Sequence, residues 1–228
     1  MSDTVRLNKF LAHATGMSRR EADDRISAGR VNLNGAPVEM GAQVAPNDIV
    51  TLDGKPVTVA ATRTYLMLNK PVGYVSSRRQ QGDNPTLYDL LPEKYHELKP
   101  VGRLDRDSSG LLLLTNDGDF AHSLTHPSFH KTKSYEVEIK QPLAPLHRQM
   151  ISDHGVMLDD GPSKLQLDRL EDGNDKRWRI TMHEGRNRQI RRTFGGLGYT
   201  VIKLHRTDFG KYTLGNLKPG KFEIVDAN

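Results

Sequence analysis

Four consecutive leucines, Leu111 to Leu114, stand between Gly110 and Asn116. A short apolar run bounded by turn residues reads as a strand buried on both faces. Directly before it comes Gly102-Arg103-Leu104-Asp105-Arg106-Asp107-Ser108-Ser109-Gly110, and directly after it Thr115-Asn116-Asp117-Gly118. A charged turn is thereby fed into the core, with Asp105 at the core's edge. A carboxylate there needs a partner, because burial disfavours its charged form. A turn aspartate capping its own backbone fits this stretch alone equally well.

The 228 residues carry 33 Lys/Arg against 28 Asp/Glu, a net charge of +5. A basic surplus suits an anionic partner. Residues 1–60 hold seven of each sign, so the rest of the chain carries the whole surplus. There is no cysteine, hence no disulfide framework or thiolate metal site. The N-terminus is polar, and no run approaches the ~18 apolar residues of a membrane span. The expectation is a cytoplasmic chain, monomeric and away from membranes.

Along residues 1–60, Leu7, Phe10 and Leu11 take helical spacing over 6–13, closed by Gly16. Ser18 with Glu21 forms a capping box for a second helix, which stops at Gly29. Val31 to Leu33 alternates, and Asn34-Gly35 and Asp53-Gly54 signal hairpins. This is a compact helix-hairpin domain, with Arg6, Lys9, Arg19, Arg20 and Arg30 as phosphate-facing candidates. Its balanced charge makes any such face a local patch. Residues 61–64 read as a linker, and residues 65–228 as a second domain opening on the strand from Tyr65, which Pro71 ends.

In that second domain, residues 76–85 read as a polar loop, and Leu87 to Leu91 and Phe120 to Leu124 as short helices. Ser134 to Lys140 and Arg177 to Met182 alternate as half-buried strands, with Tyr135 on the inner side. Leu143 to Ile151 reads as a helix, and Thr200 to Leu204 as a last core strand followed by a basic patch of His205, Arg206 and Lys211. Across Gly185 to Leu197, ~100° per residue puts Ile190, Phe194 and Leu197 on one stripe. Arg191 flanks that stripe, whereas Arg188 and Arg192 face solvent or phosphate. Strands without regular helix alternation argue an α+β domain on a mixed, largely antiparallel sheet.

His122, His126 and His130 lie four apart, but Pro127 breaks their helix and no carboxylate completes a ligand set, so no metal is expected. Gly215 to Lys221 has phosphate-loop spacing, yet Phe222 replaces the magnesium-binding hydroxyl. No cofactor is expected.

The run Gly102-Arg103-Leu104-Asp105, Ser109 to Gly118, Lys133-Ser134-Tyr135-Glu136-Val137 and Glu184 to Arg192 resembles ribosomal RNA pseudouridine synthases of the small-subunit-modifying type. Residues 1–60 resemble the small RNA-binding domain named after a ribosomal small-subunit protein. The resemblance covers nearly the whole chain. It implies a central cleft in which one uridine of ribosomal RNA, free or in a pre-ribosomal particle, becomes pseudouridine. Asp105 matches the family's catalytic aspartate, Tyr135 its active-site tyrosine, Arg191 the basic residue that pairs with the aspartate, and Leu204 the apolar residue near the base. Arg103 would assist nucleotide flipping, which costs a few kcal/mol of unstacking. Arg188 and Arg192 would meet the RNA. The competing readings are a non-enzymatic RNA-binding or ribosome-assembly protein, which would not need Asp105, Tyr135 and Arg191 together, and a hydrolase using Asp105 with Asp107. The latter needs two carboxylates facing one cleft, which two positions in a tight turn need not do.

Overall fold

The computed structural model describes residues 4–59, 62–78 and 81–227. Ala60 at the end of the expected first domain, Ala61 of the expected linker, and Arg79 and Gln80 of the expected polar loop lie outside the described residues. Two compact units form: residues 1–64 with 116–118, and residues 65–115 with 119–228.

In the first unit, helices Leu7–Thr15 and Arg19–Ser27 follow the expected spacing. Gly16, in the left-handed region, ends the first. The capping box forms as read: Glu21 N–H donates to Ser18 Oγ at 3.1 Å, and Ser18 N–H to Glu21 Oε2 at 2.7 Å. Such a cap is worth about 1 kcal/mol. Arg6 falls outside the helix, because Val5–Arg6 pairs as a short strand with Gln43–Val44. An antiparallel sheet runs in the order Ala36–Pro37, Val31–Leu33, Val50–Leu52, Lys55–Pro56. Its hairpins turn at Asn34-Gly35 and Asp53-Gly54, all four residues at positive φ, as two-residue turns with the strands' own twist require. Leu7, Leu11, Ala22, Ile26, Val31, Val44 and Val50 make its core.

The second unit is built on a nine-stranded sheet. Its path runs Gln166–Arg169, Arg177–Met182, Lys133–Ile139, Val201–Phe209, Ser109–Thr115, Tyr65–Lys70, Phe222–Ile224. Neighbours on this path are antiparallel except Val201–Phe209 beside Ser109–Thr115. The α+β class and the sheet character expected from the sequence are thus present. The four leucines form the strand as read, and they divide between two cores. Leu112 and Leu114 join Leu66, Leu68, Tyr135 and Trp178 on one face, while Leu111 and Leu113 join Met67, Phe209 and Tyr212 on the other. A period of two with both faces covered is why the run shows no alternation in sequence.

Helices depart from expectation at their ends. The helix expected over Gly185–Leu197 spans only Gln189–Gly195. Arg188, at φ 46°, sits before its first turn in the left-handed region. The helix read from Leu143 to Ile151 is a five-residue turn of α-helix, Pro145–Gln149, followed by a wider turn at Met150–His154. Among the described residues, no helix is long and apolar enough to cross a membrane.

The parallel pairing sets Gly110 beside Arg206 and Ser109 beside His205. Gly110 has φ +107°, and a Cβ there would lie 2.2 Å from the carbonyl oxygen and 2.5 Å from the nitrogen of Arg206. Only glycine satisfies both the backbone angle and the approach. Gly110→Ala should therefore force the strands apart and cost about 2–4 kcal/mol through strain and overpacking. Thermal unfolding would read this as a lowered midpoint; an unchanged midpoint would show that the pairing tolerates a side chain.

Candidate active site

A cleft of about 480 Å³ opens between the 102–108 turn, the 182–190 segment and the strands Lys133–Ile139 and Val201–Phe209. Its walls include Arg103, Asp105, Lys133, Tyr135, Arg188, Leu204 and Arg206. The 102–108 turn on its rim is held from below. Leu104 is buried as an anchor. Its carbonyl accepts from Ser76 Oγ at 2.8 Å, and its N–H donates back to that oxygen at 3.2 Å. Beneath, Lys70 is wholly buried at the end of the Tyr65–Lys70 strand. Its ammonium donates to the carbonyls of Pro71 (3.0 Å), Asp105 (3.1 Å) and Ser108 (2.8 Å). Three donors meet three backbone acceptors, so one side chain fixes both ends of the Asp105–Ser108 turn. Burial pulls Lys70 down to about 8, against the opposing pull of Asp105 and Asp107.

With its backbone held, Asp105 presents its carboxylate to the cleft, 33 % exposed. Its ion-pair partner is Arg188, with Nη1 3.3 Å from Asp105 Oδ2. The same guanidinium bonds Asp107 with both branches, at 3.0 and 2.9 Å. Arg191, expected to pair with Asp105, instead reaches Asp107: its Nε lies 3.3 Å from Oδ2 and its Nη2 donates to the Asp107 carbonyl at 2.8 Å. Its Nη1 donates to the Val201 carbonyl at 2.7 Å. Arg191 does point inward, as its helical phase requires, and its side chain is 13 % exposed. Arg188, expected on the same phase to meet solvent or phosphate, is exposed and in addition reaches both aspartates. Arg188 precedes the helix, so the helical phase does not govern it, and its left-handed backbone turns it towards the two aspartates. Hydrogen bonds from Arg188 hold the Asp107 carboxyl below the usual carboxylate range, with Arg191's charge adding to the effect. Asp107 and Arg188 are 46 % and 42 % exposed. Ion pairs at such exposure contribute about 0–1 kcal/mol, so these contacts set position more than stability.

Tyr135 and Leu204 lie on adjacent strands, Tyr135 opposite Arg206 and Val137 opposite Leu204, and both line the cleft. Arg103 lines it too, exposed. Arg192 does not; it clamps Asp160 at 3.1 and 2.7 Å and bonds the Asn187 carbonyl. Arg186 works beside it, donating to the carbonyls of Asp160, Gly161 and Pro162 and so fixing the segment that carries Arg188. In the first unit, Arg6, Arg19, Arg20 and Arg30 are exposed and Lys9 half-buried. Arg30 is tied to Asp53 at 2.6 and 2.5 Å, and Arg19 donates to Asn8 at 3.2 Å.

Three residues in or beneath the site are not singled out by the sequence. Lys70 carried a signal: a charged residue closing an otherwise buried strand. The sequence groups Arg206 with His205 and Lys211 in a basic patch, yet it is 2 % exposed. A strand running to Phe209, longer than expected, puts Arg206 inside it. Lys133, 9 % exposed, shares the inner face of its strand with Tyr135.

Residues 64–195 match the family described as RNA pseudouridylate synthase, and residues 5–50 match the S4 domain. The chain is 38 % identical to the ribosomal large subunit pseudouridine synthase B of Bacillus subtilis, over 94 % of this chain and 89 % of that protein. It is 38 % identical to the ribosomal small subunit pseudouridine synthase A of Yersinia pestis, over 96 % of this chain and 93 % of that protein. A crystal structure of a pseudouridylate synthase superposes with a TM-score of 0.70 at 31 % identity, covering 97 % of this chain and 96 % of that one.

Lys70→Met should leave three backbone carbonyls without their donor, at about 1–3 kcal/mol for each one that stays buried and unpaired, and should loosen the turn that carries Asp105. In the wild type, raising pH through about 8 removes a proton from Lys70 and leaves two donors for three carbonyls, so turnover should fall on that limb. Stability should move the other way. The folded value lies below the unfolded 10.5, so the native state binds fewer protons and this group's burial cost is relieved between about 8 and 10.5. A pH–rate profile with parallel denaturation curves checks both; an alkaline limb retained in Lys70→Met would exclude Lys70 as its source.

Proposed function

This chain belongs to the RNA pseudouridylate synthase family and isomerises uridine in RNA to pseudouridine; on that premise we propose that its substrate is one uridine of ribosomal RNA, with Asp105 as the reacting carboxylate. The single observation that carries the second part is the convergence of Asp105, Tyr135 and Leu204 on one cleft. The names of the two ribosomal relatives support the first. A purely RNA-binding chain finds no support beside the family match.

The reaction breaks the bond from uracil N1 to ribose C1′, turns the base while it is held, and joins C5 to C1′; C5 then gives up its proton and N1 takes one, so the product is an isomer of the substrate. Asp105 sits at the mouth, where the sugar of an extruded nucleotide reaches it, and acts there either as a nucleophile or as the acceptor of a ribose proton. Arg188 holds the carboxylate in position. Arg191 acts one step removed, by fixing Asp107 and thereby the far end of the turn. Tyr135 and Leu204 form the walls against the flat ring. Arg103, exposed at the rim, assists extrusion, and Arg188 lies close enough to the mouth to meet a phosphate. Arg192 serves the fold through Asp160. The chain works as a cytoplasmic monomer, with residues 1–60 as the RNA-binding domain and 65–228 as the catalytic one.

Within residues 1–60, Arg6, Lys9, Arg19 and Arg20 are the phosphate contacts, and Arg30 is the least available because Asp53 holds it. Arg19→Ala with Arg20→Ala in the full chain should lower the slope of log affinity against log salt by about two if each meets one phosphate. An unchanged slope would place RNA contact elsewhere.

Asp105→Asn keeps the shape of the side chain and the carbonyl that binds Lys70. It should abolish pseudouridine formation while leaving RNA affinity and thermal unfolding close to wild type. Mapping pseudouridine in ribosomal RNA from cells with the wild-type chain, the variant and no chain checks this. A pseudouridine that depends on the chain but persists with Asp105→Asn would remove Asp105 from the chemistry; a map identical in all three would remove ribosomal RNA as the substrate.

A further inference from the structure

We propose that Arg206, helped by Lys133, binds the carbonyl oxygens of the target uracil and stabilises the negative charge that reaches the ring when the glycosidic bond breaks. The inference rests on the pseudouridine synthase reading of the same cleft and assigns a further catalytic residue to it.

Arg206 is 2 % exposed and Lys133 9 %. Burying a charge costs several kcal/mol unless it is met by partners, yet among the described residues neither makes an ion pair. Arg206 Nε donates to the Leu111 carbonyl at 2.7 Å, and Nη2 is buried without an acceptor. Lys133 Nζ has the Glu184 carbonyl at 3.5 Å. Both cations lie over the Phe209 ring, at 4.9 and 5.3 Å from its centroid. That contact holds them in place but supplies no anion. Burial lowers Lys133 below its ordinary value, and the neighbouring charge of Arg206 lowers it further, with Glu184 opposing. Two desolvated cations side by side, both lining an open cleft, are a poor arrangement for the empty protein. They suit a negative charge that arrives during the reaction.

The register says where that charge arises. Arg206 stands directly opposite Tyr135, and directly paired residues share a face with Cβ atoms about 5 Å apart. Whatever ring lies against Tyr135 and Leu204 has Arg206 at its edge. Depth separates base from phosphate. Asp105 is one-third exposed and Arg188 42 %, so the sugar and its phosphates sit near the mouth and the base sits further in. On cleavage the N1–C1′ pair passes to the ring and is shared between O2 and O4. The sugar carbon is met by Asp105, through attack or through loss of a ribose proton to it. Arg206 exchanges no proton; it is a fixed donor aimed at a developing oxyanion, whose removal typically costs about 10²–10³ in rate.

The test measures single-turnover conversion and RNA affinity for the wild type, Arg206→Met, Arg206→Lys and Lys133→Met. The RNA carries either uridine or 5-fluorouridine at the modified position; fluorine at C5 leaves no proton to be lost there, so the rate followed on both RNAs is loss of the N1–C1′ linkage and not the appearance of pseudouridine. The fluorine withdraws electrons, so the ring bears its charge with less help. Arg206→Met should lose about 10²–10³ in rate on uridine, with affinity and salt slope unchanged, and a clearly smaller factor on 5-fluorouridine. Arg206→Lys should recover part of the loss. Losing the bond to Leu111 lowers stability, so Lys133→Met, which gives up no short backbone bond, is measured alongside and should show the same dependence on the leaving group. Equal losses on both RNAs would mean a structural role and overturn the proposal. Weaker binding with a salt slope reduced by about one would mean a phosphate contact and overturn it too. A wild type that leaves the RNA unmodified overturns the reading beneath; an active wild type with an equally active Arg206→Met overturns this proposal alone.

Discussion

Gly110 carries no side chain because the backbone of Arg206 occupies the space where one would go. Through this contact the strand leaving the Asp105 turn lies parallel to the strand that bears Leu204 and Arg206. Antiparallel neighbours alone would leave these two strands without a common edge. Their pairing brings a turn from the middle of the sequence and a strand from its last quarter to one cleft. The carboxylate, the apolar wall and the buried guanidinium all take their positions from it.

Two kinds of electrostatic contact serve that cleft, and magnitude separates them. The Asp105–Arg188–Asp107–Arg191 chain is partly open to water, where each pair is worth about 0–1 kcal/mol. Such contacts can be exchanged when RNA arrives at little cost. Lys70 is different. It lies under the turn with no exposure, and its ammonium replaces water for three carbonyls at once. Losing it leaves unpaired backbone in the core, so the backbone of the turn is held firmly while the side chains above it remain free to trade partners. The reacting carboxylate proposed for this site needs that combination: fixed in place, yet available to a substrate.

Much of the fold was legible in the sequence because local signals agreed with the tertiary outcome. The Ser18–Glu21 box, the Asn34-Gly35 and Asp53-Gly54 turns and the Lys133–Ile139 alternation each bury or satisfy groups within a few residues of one another. The site was less legible. Arg191 was placed inward correctly by helical phase, but its partner was not, because phase gives a direction and not the residue that waits there. Arg188 also reaches the two aspartates because the helix starts one position later, at Gln189, behind a single left-handed residue, and nothing local distinguishes that from a further turn. Arg206 looked like surface because a basic residue after a core strand usually is.

The sequence by itself determined the α+β class, the two-part organisation of helix-hairpin and sheet, and, through an extended motif, the family, since periodicity, capping and motif are properties of residues close along the chain. Only the tertiary structure decided which arginine meets which aspartate, that Lys70 carries the turn, and that Arg206 lies buried beside Tyr135. Those outcomes depend on strand order and on the approach of one backbone to another across 96 positions of sequence, and no local pattern encodes the partner that such a crossing brings.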